Sequence, residues 1–186
     1  MRTELVSIFN KLGIKKGRAT AEKAHKEGLW HRSAHVWVYT PDGRVLLQQR
    51  AKSRHVYPSR FDMSAAGHVP ANETPKKTAV REAFEEIHLM IDPMYLKKIE
   101  VIRTHEENKK THWTNNEFDY IFIYPFEGDP KTLKINYNEV EGLRFVSLHQ
   151  FEAEIHSPRL FRRYAPHTKR YYLSVIRAIR EELKHK

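Results

Sequence analysis

The chain contains no cysteine, which excludes disulfides, thiolate zinc sites and cysteine nucleophiles together. It also lacks any apolar run approaching the ~20 residues of a membrane-spanning helix. Met1 to Ile14 interleaves charges with apolar residues, whereas a signal peptide would need a continuous apolar centre. These absences argue against membrane insertion and make the cytoplasm the expected location. No repeat, low-complexity tract or linker divides the 186 residues, a length suited to one well-buried domain. We expect a single domain over 1–186, with an N-terminal extension over 1–30, a core over 31–150 and C-terminal helices over 151–186.

Thirty-three Lys and Arg against 23 Asp and Glu give a net charge of +10, enough to attract and steer anionic ligands. The basic residues are spread along the chain without a basic arm, a zinc finger or an RNA-binding aromatic motif, which argues against nucleic acid as the partner. Small anionic molecules remain. Oligomeric state stays open, and a homodimer is compatible with the composition.

The most informative stretch is GHVPANETPKKTAVREAFEEIHL, from Gly67 to Leu89. Thr74 is a good N-cap, and Pro75 suits the first helical position because its missing N–H has no partner there. At 100° per residue Glu82, Glu85 and Glu86 share one sector, while Val80, Ala83, Phe84 and Ile87 occupy the opposite side and are expected to face a core. Carboxylates ~5–6 Å apart repel by about 3 kcal/mol per pair at an effective dielectric near 20. A solvated acidic face is the common reading of such a triplet. A divalent cation would reverse the sign, and oxygen-only ligands favour magnesium or manganese, often alongside substrate phosphates. Arg81 can pair with Glu85 four residues on, and Glu73 at the preceding turn can return to the same arginine.

Gly67, five residues, Glu73, seven residues and then Arg81-Glu82-Ala83-Phe84-Glu85-Glu86 resembles the box of the Nudix hydrolase family. The resemblance implies hydrolysis of a nucleoside diphosphate linked to another group, on a loop-helix-loop that holds metals. Carried onto this sequence, it implies Glu82, Glu85, Glu86 and the Gly67 carbonyl as metal ligands and Arg81 with Glu73 as an orienting pair. The box departs at His88, where the family has glycine and where a side chain tolerates a left-handed cap less well.

Around the box, Leu5 to Ile14 predicts a short strand or helix ending at Gly13, and Thr20 to Gly28 a short capped helix. Ser33–Thr40 and Arg44–Arg50 flank Pro41-Asp42-Gly43 and predict a hairpin. A polar loop over 51–62 leads to a short buried strand, Met63–Ala66. Further strands are expected at Leu96–Thr104, Glu117–Phe126, Lys134–Tyr137 and Leu143–Ser147, with polar turns over 106–116 and 138–142. Helices follow at His149–Ile155 and Thr168–Lys184, the second with Tyr172, Val175, Ile176, Ile179 and Leu183 on one stripe. This order suits an α+β fold, an α/β/α sandwich with a mixed central sheet, as the resemblance also implies.

His31, Arg32, His35, His68 and Glu117 form a second set of candidates. TAEKAHKEGLWHRSAHVWVYTPDGRVLLQQR, followed by YPSRFDMSAAGHVP, resembles the Nudix branch that includes type I isopentenyl-diphosphate isomerase. That branch has a cysteine before the Gly-His pair, where this chain has Ala66, and so lacks one acid/base partner of the isomerisation. The resemblance implies His68, and with it His31, as metal-binding histidines, with Glu117 a further ligand. Asn115 stands where another carboxylate is expected. Candidate general bases are Glu86, then Glu139, which resembles a late-loop carboxylate of some members, then Glu117. Arg50, Lys52, Arg54 and Arg60 are candidates to clamp phosphate oxygens, and Trp37, Tyr57 and Phe61 to stack or to pack.

The expectation is therefore a Mg2+- or Mn2+-dependent hydrolase of a diphosphate bond in a small anionic metabolite. The alternatives are an isomerase-like enzyme and a non-catalytic nucleotide- or RNA-binding module.

Overall fold

The computed structural model describes residues 4–54, 56–108 and 113–184. At the N-terminal end β1 (Leu5–Phe9) and β2 (Lys15–Thr20) pair antiparallel as a separate ribbon. Helix α1 (Ala21–Glu27) follows directly, capped by the Thr20 side chain, which accepts from the Lys23 N–H, and ended by Gly28 at φ 62°. Both caps match the sequence reading, and the first expected element is resolved as a strand.

The main sheet has seven strands: β3 (His31–Tyr39), β4 (Arg44–Arg50), β5 (Phe61–Asp62), β6 (Ala65–His68), β7 (Lys97–Asn108), β8 (Trp113–Pro125) and β9 (Val140–Ser147). β3 and β8 are parallel and the other pairings are antiparallel. The sheet is mixed, as expected. The turn at 41–43 forms where predicted, but β3 and β4 pair only at Tyr39–Val45. Beyond that point they diverge, β6 takes the flank of β3 over Ser33–Val36, and β5 and β9 take those of β4.

Alternation along β3 assigns the two sides of the sheet. Ala34, Val36 and Val38 pack with Ala79, Ala83 and Ile87 of α2 (Pro75–Ile87). Trp37 and Tyr39 pack with Phe151 of α3 (Leu148–His156) and with Tyr171, Tyr172, Val175, Ile176 and Ile179 of α5 (Lys169–Lys184). Helices on both faces make the α/β/α sandwich, and a short α4 (Pro158–Phe161) joins α3 to α5.

Four expectations need correction. Lys134–Tyr137 is not a strand: the Asn136 N–H donates to the Glu86 carbonyl, and the Asn136 carbonyl accepts from Glu139 and Val140, so this segment turns against the end of α2. β9 accordingly starts at Val140 rather than Leu143. β7 and β8 extend to Asn108 and from Trp113 into the stretch read as a polar turn, of which 109–112 lie outside the described residues. The short strand before the helix is shifted so that Gly67 lies within β6.

The fourth concerns the facing of α2. Its start is as read, with the Thr74 side chain accepting from the Lys77 N–H and Pro75 in the first turn. Its acidic side is wet only at Glu85, about half exposed. Glu82 and Glu86 are 8% and 3% exposed, whereas Phe84, expected in the core, is 51% exposed. The small residues Ala79 and Ala83 bring the helix close to β6, and Glu82 follows them in. His88 does adopt the left-handed cap, at φ 51°, with its N–H on the Ala83 and Phe84 carbonyls and its ring Nδ1 3.2 Å from the Lys134 carbonyl.

The missing side chain at Gly67 makes room for the Glu82 carboxylate between helix and strand: a Cβ there would overlap that carboxylate and its Cγ and force the side chain to move. Gly67→Ala should lower Tm, and the loss should be smaller in a Glu82→Ala background, where the overlap is gone. A thermal-unfolding double-mutant cycle checks this, and purely additive effects would contradict the stated cause.

Candidate active site

The box brings its polar groups together around one guanidinium. Arg81 donates from NH1 to Glu85 Oε2 at 2.7 Å and lies 2.8 Å from Glu82 Oε1, while its Nε donates to Glu73 Oε2 at 3.3 Å. The Thr78 hydroxyl also donates to Glu73, at 2.9 Å. Glu85 is the outermost of the three box carboxylates, about half exposed. Glu86 is the innermost: its Oε2 accepts from the Ala66 N–H at 3.0 Å and the Gln48 amide at 3.1 Å.

Two of these carboxyls are held far from their usual titration. Burial, with Glu85 adding repulsion against the pull of Arg81, pushes Glu82 up to about 7. Burial, together with Glu82 and Glu139, pushes Glu86 up to about 8. Without a cation the inner face of α2 thus favours protons over charge, as expected for crowded carboxylates in a poorly solvated place.

Beside the box, His25, His31 and His68 converge, with one ligand atom from each within 4.8 Å of the others. Each ring has its Nδ1 committed to an acceptor outside the cluster: His25 to the Thr114 carbonyl at 3.3 Å, His31 to the Leu29 carbonyl at 2.9 Å and His68 to Glu4 Oε2 at 3.3 Å. A nitrogen facing a carbonyl or carboxylate carries the proton, so in each neutral ring the lone pair is on Nε2. His25 Nε2 and His68 Nε2 are 3.1 Å apart. Glu117 Oε1 lies 3.2 Å from His31 Nε2 and 3.5 Å from His68 Nε2, yet His31 Nε2 makes no hydrogen bond.

Three inward lone pairs and a carboxylate oxygen at such distances repel unless a proton or a cation lies among them. The donor set therefore fits a divalent metal. Its imidazoles suit manganese, iron or zinc better than magnesium, unlike the oxygen-only box. Burial and the charges of His68 and His31 press His25 down to about 4. Burial raises Glu117, but the close approach of the His31 imidazole, with those of His68 and His35, outweighs it and holds the carboxyl well below its usual range. Asn115, which donates to Glu117 Oε2, has its buried Oδ1 without a partner, so a neutral oxygen is also available there.

His25 was not singled out in the sequence. It lies in the last turn of α1, and the signal that could have found it was its position inside the isomerase-like segment. Ala66, opposite His35 in the β3–β6 register, offers no acid or base.

Box and cluster share a cavity of about 1450 Å³, whose wall includes His25, Gly67, His68, Glu82, Glu117 and Glu139. Glu139 pairs with Arg54 at 3.0 Å and accepts from the Asn136 amide at 3.2 Å. Of the four basic candidates, Arg50 and Arg54 line the cavity, but Arg50 is engaged by Asp62 at 3.0 Å and the Val56 carbonyl at 3.1 Å. Lys52 points away, largely exposed and paired with Glu141 at 3.2 Å. Arg60 donates to the Tyr164 carbonyl at 3.1 Å and is not part of the wall. Tyr57 lines the cavity, whereas Trp37 and Phe61 are core residues.

Away from the cluster the cavity floor stays polar, through residues that sequence reading passed over apart from His35 and Trp37. The Trp37 indole N–H donates to the Tyr171 hydroxyl at 3.0 Å, which lies 2.9 Å from His35 Nδ1. His35 Nε2 is 3.3 Å from the Ser33 hydroxyl, which donates to Asp119 Oδ1 at 2.7 Å. Thr104 donates to the other Asp119 oxygen. Nearby, His167 Nε2 lies 3.5 Å from Asp62 Oδ1, and its ring stacks on Tyr171 at 4.4 Å between centroids.

Comparison with known proteins agrees with this geometry. The NUDIX domain family profile matches residues 29–166. An uncharacterised Nudix hydrolase of Clostridium acetobutylicum is 30% identical over 146 residues, covering 77% of this chain and 69% of that protein. An isopentenyl-diphosphate Delta-isomerase of Streptomyces coelicolor is 28% identical over 144 residues, covering 77% and 71%. Among solved structures, a Deinococcus radiodurans protein superposes with a TM-score of 0.68 at 17% identity, over 92% of this chain and 97% of that one. The NUDIX domain of Shewanella oneidensis NrtR, complexed with ADP ribose, gives 0.56 at 15% identity, over 81% and 86%. With its sequence matched by the family profile over most of its length, the chain belongs to the Nudix hydrolase family.

Proposed function

We propose that this Nudix hydrolase cleaves a diphosphate bond in a small anionic metabolite, a nucleoside diphosphate derivative or a similar compound, with divalent metal bound at the cavity. The observation that carries the reading is the desolvated pair Glu82 and Glu86 beside the inward-facing imidazoles, an arrangement that is electrostatically costly unless cations occupy it. Glu82, Glu85, Glu86 and the Gly67 carbonyl would hold metal at the box, and His25, His31, His68 and Glu117 a second ion. Bound metal supplies charge neutralisation at the phosphates and lowers the pKa of coordinated water.

The chain's own residues divide the remaining work. Arg81 fixes the outer box carboxylates, with Glu73, itself held by the Thr78 hydroxyl, holding Arg81 in turn. Arg54, on the cavity wall, offers a charged donor to phosphate oxygens. Glu139 is the candidate to take a proton from the attacking water once Arg54 leaves it for the phosphate, because a carboxylate committed to a cation, as Glu86 would be to metal and as Glu139 is while paired with Arg54, is a poor base. Ala66 argues against isomerase chemistry, since it removes an acid/base group at the place where the isomerase-like branch has one. The ADP-ribose complex of the structurally similar NrtR domain supports a nucleoside diphosphate derivative as the type of ligand.

A screen over nucleoside diphosphate derivatives, with Mg2+ and Mn2+ in parallel and the two phosphomonoester products converted to inorganic phosphate by an added phosphatase, tests the activity; no metal-dependent turnover across the panel would refute it. Glu86→Gln should cut kcat by ~100-fold or more. It should also raise the Tm of the metal-free protein at pH 8 by roughly 3 °C or more, because a buried charge repelled by Glu82 and Glu139 is removed. Lower activity with lower stability would instead mark Glu86 as a packing residue.

Metal and protons should compete. The folded-state pKa values of Glu82 and Glu86 lie above the ordinary carboxylate value, so the folded state binds the extra protons and metal-free stability falls as pH rises from about 4.5 to about 8. Added Mn2+ should therefore raise Tm more at pH 8 than at pH 5.5, as differential scanning fluorimetry can measure. An equal or reversed shift would speak against these carboxylates as ligands.

A further inference from the structure

We propose that the tip of the N-terminal ribbon docks the protein on an anionic lipid surface. Leu12 and Ile14 enter the boundary between headgroups and acyl chains, and the cations around them lie on the headgroups. The ribbon precedes the segment matched by the family profile, which starts at residue 29, and none of residues 11–18 lines the cavity.

From Leu5 to Thr20 the chain reads LVSIFNKLGIKKGRAT, with Lys11, Lys15, Lys16 and Arg18 and no acidic residue. Residues 11–18 are exposed without a break, and among the described residues none of these four cations pairs with a carboxylate. Leu12 is 81% exposed and Ile14 55%. One exposed aliphatic residue means little, since much of any protein surface is apolar, and lysine on the free edge of β2 also serves to block pairing with other chains. Two aliphatic side chains at the tip do not serve that purpose. Nor is the tip loose chain. Asn10 Oδ1 accepts from the Leu12 N–H at 3.0 Å and the Ile14 N–H at 2.9 Å, and Gly13, at φ 81°, donates to the Asn10 carbonyl at 2.9 Å. Arg103 of β7 donates to the Lys11 carbonyl at 3.3 Å and adds a fifth positive charge. Behind the tip, Val6 and Ile8 pack on Ala24 of α1, and the Phe9 N–H donates to the Trp30 carbonyl at 2.8 Å. Leu12 and Ile14 are thus presented already ordered, so burying them costs little conformational entropy.

Aliphatic side chains ringed by cations match an anionic bilayer, which offers a negatively charged plane above a hydrocarbon layer. Nucleic acid also offers phosphates, but its apolar faces are flat bases that stack on aromatic rings, and residues 10–18 contain no aromatic residue. A basic patch and a small apolar anchor are each weak alone, and together they make the two-part attachment that stable peripheral binding requires. The protein would lie on the membrane rather than cross it: among the described residues no helix is long and apolar enough to span.

The test is co-sedimentation of the full chain with vesicles of phosphatidylcholine alone and of phosphatidylcholine with one-third phosphatidylglycerol, at low and high salt. Binding should be about 10-fold or more tighter on the anionic vesicles and should weaken as salt rises. Lys15→Glu combined with Lys16→Glu should weaken it by ~20-fold or more, and Leu12→Ser combined with Ile14→Ser by ~10-fold or more. Leu12→Ile combined with Ile14→Leu, which keeps the apolar tip, should bind as the unaltered protein does. Tm, followed for every variant, should stay unchanged because residues 11–18 are exposed, and this separates loss of docking from loss of fold. No binding to the anionic vesicles, equal binding to both kinds, loss on charge reversal but not on the serine substitutions, or displacement from the vesicles by stoichiometric single-stranded RNA would each overturn the proposal.

Discussion

The closeness of α2 to the bare backbone of β6 is the constraint on which the rest of the site depends. Ala79 and Ala83 let the helix approach, Gly67 gives it somewhere to go, and Glu82 fills the space a Cβ would have taken. Carboxylates that would repel weakly in water are thereby moved where water screens them poorly. The same approach hands Glu86 the Ala66 N–H and ties the end of the helix to the turn at Asn136, which leads to Glu139. Packing and chemistry are a single decision here: a helix half a diameter further out would have ordinary surface glutamates.

Alternation along β3 is the second organising device. Beyond Arg32, one side of this strand is apolar, through Ala34, Val36 and Val38, and seals the α2 layer. The other runs from His31 through Ser33 and His35 to Trp37, from the imidazole cluster to hydrogen bonding to aromatic core, in two-residue steps. The parallel partner β8 repeats the order with Glu117, Asp119 and Ile121. Because side chains alternate strictly, a one-residue slip in either strand would exchange a charged row for an apolar one. Register is therefore specified by the cost of burying the wrong row.

Much of this was legible in the sequence because it is local. Caps at Thr20, Gly28 and Thr74, the turn at 41–43 and the stripe on α5 depend on neighbours within a few positions, and these elements stand where the residues put them. What was not legible depends on what approaches from elsewhere. The helical wheel places Glu82 and Glu86 opposite Ile87, but only the glycine in β6 reveals that the acidic side is drawn inward while Phe84 is left outside. Lys134–Tyr137 has strand-like residues, yet its backbone groups are claimed by α2 and by its own turn. The box guanidinium and its carboxylates could be read from spacing. The imidazole cluster could be read only in part, since His25, His31, His68 and Glu117 come from a helix and three strands that meet through tertiary packing alone. Arg60 and Lys52 show the converse, basic residues near the box in sequence whose partners turn them away from it.

His25 and Glu4 both precede the segment matched by the family profile, which starts at residue 29. One supplies an inward nitrogen and the other fixes the tautomer of His68. The recognisable family unit thus contains the box helix, while part of the neighbouring imidazole nest is lent by an appended ribbon and helix. Change in the appendage would alter that nest without touching the box, and excision along the homology boundary would remove one of its imidazoles together with the hydrogen bonds from Phe9 to Trp30 and from Ala71 to Leu5.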